Sequence, residues 1–364
     1  MRHERGPELT PGAPHVRAAV DLRGVMRAVL VALAPCVAFG LYNTGYQANR
    51  ALVERGLAAE PGWRGTLLAW VGAGRDASSV PDCVLLGALH FVPLLAIALA
   101  AGALWERIFA AARRRSLAPG LGVTAAIFTA SLPPTLPWWQ AALGISFGVV
   151  VGKEIFGGTG RNVFNPAVVG LALLYFAYPA DMRGEAVWVA VDATTGPTAL
   201  RAATAGGAGA LADQGLTWLG AFLGRIPGAM AETSKLGCLL GALYLAHRRV
   251  ASWRIMAGVL LGAAATGALL SGPTAGWHLV LGSLAFGAVF LATDPVTSPV
   301  TETGRWIYGV LIGFLVVLIR VANPVHTEGV LLAILLGNVC APLIDHGVIW
   351  LHVQKRRRRL ARSR

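Results

Sequence analysis

Two carboxylates inside apolar runs are the first candidates for chemistry. Glu106 closes the run Leu104-Trp105-Glu106-Arg107, and Asp345 lies far into the last apolar run, with His346 beside it and no basic residue within several positions. An acid in such a run must be paired or must bind a cation, and carboxylate oxygens suit a hard cation. For Glu106 the adjacent Arg107 offers an interfacial ion pair as the alternative. Two further features are polar turns. Val191-Asp-Ala-Thr-Thr-Gly-Pro-Thr-Ala-Leu200 is rich in hydroxyls and leads to Gly206-Gly-Ala-Gly209; by composition it reads as an Asx or Ser/Thr turn entering a loop. Gly157-Gly-Thr-Gly-Arg-Asn-Val-Phe-Asn165 looks like a nucleotide loop, but no strand precedes it, and a dinucleotide-binding fold is thereby excluded. A glycine-rich turn between helices is the plain alternative. Cys36, Cys83, Cys238 and Cys340 have no metal-ligand spacing, and His90 and His278 stand alone in sequence. These read as packing residues.

The elements that must position these residues are apolar. Of 364 residues 55% are hydrophobic and 13% charged, against about a quarter charged in an ordinary soluble domain. The reading is an all-α polytopic membrane protein of about ten transmembrane helices. The spans fall near 25–42, 84–104, 121–132, 138–151, 166–178, 230–246, 255–270, 278–293, 307–321 and 330–350. Several are shorter than the roughly 20 residues of a full crossing. Ser131-Leu-Pro-Pro-Thr-Leu-Pro137 marks either a discontinuous helix or a tight external turn. Ten crossings divide the chain into a cytoplasmic segment 1–24, a transmembrane domain 25–350 with an outer-face segment 179–229, and a basic cytoplasmic tail 351–364. Lys and Arg are about threefold more abundant in the segments this assigns to the cytoplasm, which places both termini there. That asymmetry explains the net charge of +13 without nucleic acid. The polar segment Met1 to Asp21 lacks a signal-peptide core, so the first span is expected to stay. Asp192-x-x-Thr195-x-Pro197 and Asp294-x-x-Thr297-x-Pro299 echo one another, and an internal duplication into two inverted repeats of five spans accommodates them.

The loop Val191 to Leu200 resembles the flavin-attachment motif of the NqrB/RnfD family: NqrB belongs to the sodium-translocating NADH:quinone oxidoreductases, and RnfD to the related Rnf complex. The resemblance extends through His15-Val-Arg-x-x-Val-Asp-Leu-Arg23, Gly40-Leu-Tyr-Asn-Thr-Gly-Tyr-Gln47, Pro133-Pro-Thr-Leu-Pro137 and Gly152-Lys-Glu-x-Phe-Gly-Gly-Thr-Gly-Arg-Asn162. It continues in Ala292-Thr-Asp-Pro-Val296, Ile319-Arg-Val-x-Asn-Pro324 and Ala341-Pro-Leu-x-Asp-His346. The first of these blocks and the basic tail favour the NqrB branch over the RnfD branch, which would use ferredoxin as its electron couple. A solute channel of the urea-transporter kind and a structural anchor without a redox centre are the rivals outside the family.

The resemblance implies a bacterial inner-membrane redox subunit that passes electrons to ubiquinone and couples this to Na+ export. Alone it is inactive, because it has no NADH or iron-sulfur motif and needs the other subunits of a six-subunit complex. The resemblance further implies FMN joined through a phosphoester to Thr198 by a flavin transferase. Pro197 here replaces the Ala usual in the family. Non-covalent riboflavin is expected at Asn162, Asn165 and Asp294, whose amides and carboxyl suit an uncharged isoalloxazine edge. Quinone is expected near Gly102 and Ala103, where two glycines are usual. Glu106 and Asp345 are expected in sodium uptake.

Overall fold

The computed structural model describes residues 21–54, 62–72, 76–117, 119–182, 199–200, 203, 209–211, 213, 215–226, 228–323 and 329–362. Among them there is helix and no strand. The main elements are α1 (Leu22–Glu54), α2 (Trp63–Val71), α3 (Val80–Ala112), α4 (Leu121–Ala130), α5 (Trp138–Val149) and α6 (Pro166–Ala177). They are followed by α7 (Lys235–His247), α8 (Trp253–Leu270), α9 (Glu302–Ala322) and α10 (Val330–Arg362). Between α8 and α9 lies an interrupted helix made of Trp277–Val280, Leu284–Phe286 and the π-helical turn Gly287–Leu291. Each apolar stretch seen in the sequence contains helix, though 230–234 and 281–283 lie outside it. Five of the helices, α1, α3, α8, α9 and α10, are long and apolar enough to cross a membrane unaided. The apolar helices α4, α6 and α7 are shorter.

Local sequence fixes where several of these helices begin. Ser79 accepts from the Asp82 amide at the start of α3, Ser234 from Gly237 at α7, Asn165 from Ala167 at α6 and Thr301 from Gly304 at α9. Each side-chain oxygen satisfies one of the backbone donors that a helix start leaves over. Pro81 and Pro166 follow their caps in the first turn, where a missing N–H costs nothing.

α1 packs on α3, α4 and α7, α5 on α3 and α6, α9 on α8 and α10, and α10 also reaches α6. Phe128, Ile145, Leu171 and Leu174 share one continuous core with Tyr308, Ile312 and Val316 of α9. Cys36 and Cys238 meet inside it as free thiols, sulfur to sulfur at 3.8 Å. α8 and α9 pack backbone against backbone. A Cβ added at Gly313 would lie 2.1 Å from the Val259 carbonyl oxygen, and one at Gly262 would lie 2.4 Å from that of Val310.

The bundle is broken in two places. After α4, residues 131–134 leave the helix yet stay buried. The chain before α7 runs alongside them, with Met230 N donating to Leu132 O at 3.1 Å and Ala231 N to Ala130 O at 2.9 Å. His90 Nδ1 lies 3.2 Å from Pro134 O. Residues 131–134 are therefore enclosed by the bundle and do not form an exposed turn. The second break is at Leu281-Gly282, where Leu281 is extended and Gly282 has φ +66°. Arg320, fully buried on α9, donates to His278 O at 2.8 Å and Leu281 O at 3.2 Å. Lys235 Nζ donates to Gly282 O, Glu232 O and Thr233 O at 2.9–3.1 Å. Two buried cations thus satisfy carbonyls that the interruption strips of helical partners.

Gly313→Ala is expected to lower the stability of the detergent-solubilised protein by about 1–3 kcal/mol, because the α8–α9 backbones must part. Gly24→Ala, which meets nothing within 4 Å, is expected to leave the thermal midpoint in place. Equal midpoints for wild type and Gly313→Ala would show that this contact yields freely.

Candidate functional site

The two cavity-forming turns each follow a π-helical turn. Val150–Glu154 extends α5 and leads into residues 155–165, while Gly287–Leu291 leads into residues 292–301. A π turn inserts a residue into the helical register and so re-aims the side chains it carries; such bulges concentrate at functional sites. Here the first turn carries Lys153. The segment after it holds Gly157, Gly158 and Gly160 at φ +114°, +94° and +88°. Only glycine adopts that backbone readily in succession.

Asn162 ties this turn together. Its Oδ1 accepts from Gly160 N at 3.3 Å and its Nδ2 donates to Phe164 O at 2.9 Å. Asn165 Oδ1 accepts from Ala167 N at 3.0 Å, so the Nδ2 donors are what this residue can offer a ligand. In the opposite turn Asp294 Oδ1 accepts from Val296 N at 3.1 Å. Burial raises the Asp294 carboxyl above the usual carboxylate range, while the Val296 amide pulls the other way.

Asn162, Asn165 and Asp294 line one cavity, together with Lys153, Thr159 and Thr293. Its empty space is ≈ 770 Å3, including the part open to solvent. Val25, Met26 and Val29 of α1, Ile127 of α4, and Val289 and Phe290 supply apolar walls. Apolar walls with a few convergent polar groups are what a small-molecule site requires. The set suits a flat, largely uncharged heteroaromatic ligand with polar groups along one edge.

Glu106 comes to the same region from α3. Its carboxylate pairs with Lys153 Nζ, and both side chains are buried, at 7% and 4% exposure. The ion pair anticipated with Arg107 is not formed: Arg107 is exposed, because adjacent residues of a helix point about 100° apart. A second pair lies next along the chain, Arg113 Nη1 to Glu154 Oε2 at 3.0 Å. Gly102 is one turn before Glu106 on the same buried face, and a Cβ there would meet Leu121 and Ile145. Ala103 is half-buried beside it.

Asp345 does not stand alone. Its Oδ2 accepts from Val300 N at 2.7 Å, and its Oδ1 accepts from Thr301 N at 3.0 Å and from the Thr301 hydroxyl. The expectation of a deep, unpartnered acid is corrected in this respect. α10 is longer than the span read from the sequence, so Asp345 sits half-buried at the level of the 294–301 turn and anchors the start of α9.

Thr198, Asp192, Thr195 and Pro197 lie outside the described residues. Ala199 and Leu200, immediately after Thr198, are buried in a separate cluster with Leu211, Ala221, Ile226, Val280 and Leu281. Asn43 of α1 donates to Ile226 O at 3.1 Å. From the cavity at Met26 to Asn43 is about 25 Å of helix, so the cavity and this cluster lie well apart along α1.

Residues 9–352 match the model of the NQR2, RnfD, RnfE family. The chain belongs to that family. Among its relatives is the NqrB subunit of the Na(+)-translocating NADH-quinone reductase of Azotobacter vinelandii, 47% identical over 373 residues that cover 99% of this chain and 91% of that protein. The subunit of the same name from Stutzerimonas stutzeri is 47% identical over 371 residues with the same coverage. That from Chromohalobacter salexigens is 46% identical over 363 residues, covering 97% and 88%. The family match takes in both cavity turns, the α3 acid and Asp345, so the resemblance read from sequence blocks extends over the whole described bundle.

Three residues of consequence were not singled out by sequence reasoning: Lys153, Lys235 and Arg320. All three are cations in or at the ends of apolar runs, and that placement was the available signal.

Proposed function

We propose that this chain is the flavin-bearing, quinone-reducing membrane subunit of a sodium-translocating NADH:quinone oxidoreductase, working with the other subunits of that complex in a bacterial inner membrane. The observation that carries the reading is the meeting of Asn162, Asn165 and Asp294 at one mainly apolar cavity. The names of the relatives favour this partner set over that of an Rnf complex.

On this reading the cavity holds riboflavin. Bound there, a flavin supplies reversible one-electron chemistry. The protein's part is to bind and shield it: Val29, Ile127 and Phe290 cover apolar ring surface, the Asn165 Nδ2 group donates to a ring acceptor, and Asp294, with its raised carboxyl, serves as a polar partner at the edge. Thr198 carries FMN through its hydroxyl, attached by a flavin transferase, on the outer face. The burial of Ala199 and Leu200 against Leu281 supports this, since it ties the loop to the end of the bundle remote from the cavity. Ubiquinone is reduced near Gly102 and Ala103, one turn from Glu106. Glu106 and Asp345 offer carboxylate oxygens to the entering sodium ion, Asp345 beside the Thr301 hydroxyl. The reading takes ten crossings in two inverted repeats, with both termini cytoplasmic, and the Lys and Arg bias supports that orientation.

Three outcomes are expected. Thr198→Ala abolishes in-gel flavin fluorescence of the denatured subunit; fluorescence that persists moves the attachment to another hydroxyl, and its absence from wild type favours a channel or anchor. Asn165→Asp keeps an oxygen to cap α6 but loses the amide donors. The loss of one hydrogen bond, about 1–3 kcal/mol, weakens riboflavin retention roughly tenfold to hundredfold at normal thermal stability, whereas Asn165→Leu lowers both. Full riboflavin content in Asn165→Asp would reduce Asn165 to a helix cap. Asp345→Asn removes charge while leaving an acceptor for Thr301, and the sodium concentration for half-maximal quinone reduction rises severalfold with flavin content intact. An unchanged sodium dependence would confine Asp345 to anchoring α9.

A further inference from the structure

Lys153 has no task in holding a flavin edge or in carrying electrons, although it is a cation on the cavity lining and is held by the acid assigned to sodium. Its ammonium pairs with Glu106 across the α3–π-turn contact, 47 positions apart in sequence, at 4% exposure. The neighbouring pair, Arg113 with Glu154, differs in kind. Arg113 is half-buried, does not line the cavity, and is fixed at two points, the Glu154 carboxylate and the Glu154 backbone carbonyl. Lys153 is a compact point charge on a flexible four-carbon stem, carried on a π turn that directs it to the cavity and to α3 together. Around it, Asn162, Asn165, Thr159 and Thr293 are uncharged. Asp294 is the other ionisable group on the lining, and burial favours its neutral form.

We infer that Lys153 is the element that couples the charge of the cavity's occupant to the availability of Glu106. This rests on the proposal that the occupant is a flavin. With the flavin oxidised and uncharged, Lys153 and Glu106 neutralise one another and Glu106 has no need of a cation. One electron from the preceding carrier of the complex places one negative charge on the flavin. The Lys153 ammonium shifts its pairing to that charge, and the Glu106 carboxylate, left without its counter-ion, takes up one Na+ from the cytoplasmic side. One electron and one sodium ion enter together, so the net charge of the region is the same before and after. When the electron leaves for quinone, Lys153 returns to Glu106 and competes with the bound ion. Two opposite charges in a buried site attract much more strongly than in water, which is why a single lysine can link the two events. Lys153 is in this account a positioning residue for sodium and a charge partner for the flavin.

The test measures the midpoint potential of the non-covalent flavin in purified holo-complex, with and without sodium, after its content has been quantified. Lys153→Met is expected to bind riboflavin but to favour the reduced form at least tenfold less, a fall of about 59 mV for one electron. The potential also ceases to depend on sodium. Glu106→Gln frees the ammonium for the flavin permanently, so the potential rises, again without sodium dependence. Lys153→Arg keeps the wild-type direction of sodium dependence. If Lys153→Met leaves a buried Glu106 that prevents assembly, Lys153→Met with Glu106→Gln removes both charges and is expected to show the lowered potential. A counter-ion that only holds α3 to the π turn gives no opposed shifts. Potentials for Lys153→Met and Glu106→Gln that stay at the wild-type value, or move in the same direction, overturn the inference. A wild-type complex with no non-covalent flavin overturns the reading of the cavity itself, and that outcome is seen before any variant is measured.

Discussion

Backbone hydrogen bonding in an apolar surround is the constraint from which the rest of this architecture follows. A continuous helix meets it unaided, but a helix that stops inside the bundle exposes carbonyls and amides with no water to receive them. Here the two interruptions are satisfied from within. The 130–132 and 230–231 segments bond to each other, and Arg320 and Lys235 donate to the carbonyls around Leu281 and Gly282. In these bonds the cations replace lost helical donors. The break at Leu281 depends on them, as does the cluster of Ala199 and Leu200 packed against it.

The same economy of polar groups shapes the cavity. Its principal polar residues are also structural: Asn162 ties the glycine turn, Asn165 caps α6, Asp294 holds the Val296 amide, and Lys153 neutralises Glu106. A site built from such residues is preorganised, because the groups that face a ligand are fixed by bonds formed on folding. Distance completes the picture. The cavity and the Ala199–Leu200 cluster meet α1 near Met26 and Asn43, so one long helix sets the separation between the two regions read as flavin sites.

The sequence was legible where the signal is local. Apolar length marked the long helices but not the short α2 (Trp63–Val71), prolines marked the Ser131 to Pro137 break, and asparagines beside glycines marked a turn that meets the Asp294 turn. Long-range pairing was not legible. Nothing near Glu106 in sequence points to Lys153, and the adjacent Arg107 was misleading because helix geometry turns it away. Asp345 looked unpartnered because its partners are the backbone of Val300 and the backbone and hydroxyl of Thr301, none of them a basic side chain. The register shift of a π turn likewise leaves no pattern in composition, although it decides where Lys153 reaches. Thr198 lies outside the described residues, and its role rests on its motif.

The central claim, that the two polar turns enclose a flavin, is tested most directly by a density map of the assembled, detergent-purified complex at side-chain resolution. The account predicts planar tricyclic density between residues 157–165 and 293–298, with polar ring edges within hydrogen-bonding distance of Asn165 Nδ2 and Asp294. A cavity closed by side chains or filled by an acyl chain, with flavin density elsewhere in the subunit, would contradict it.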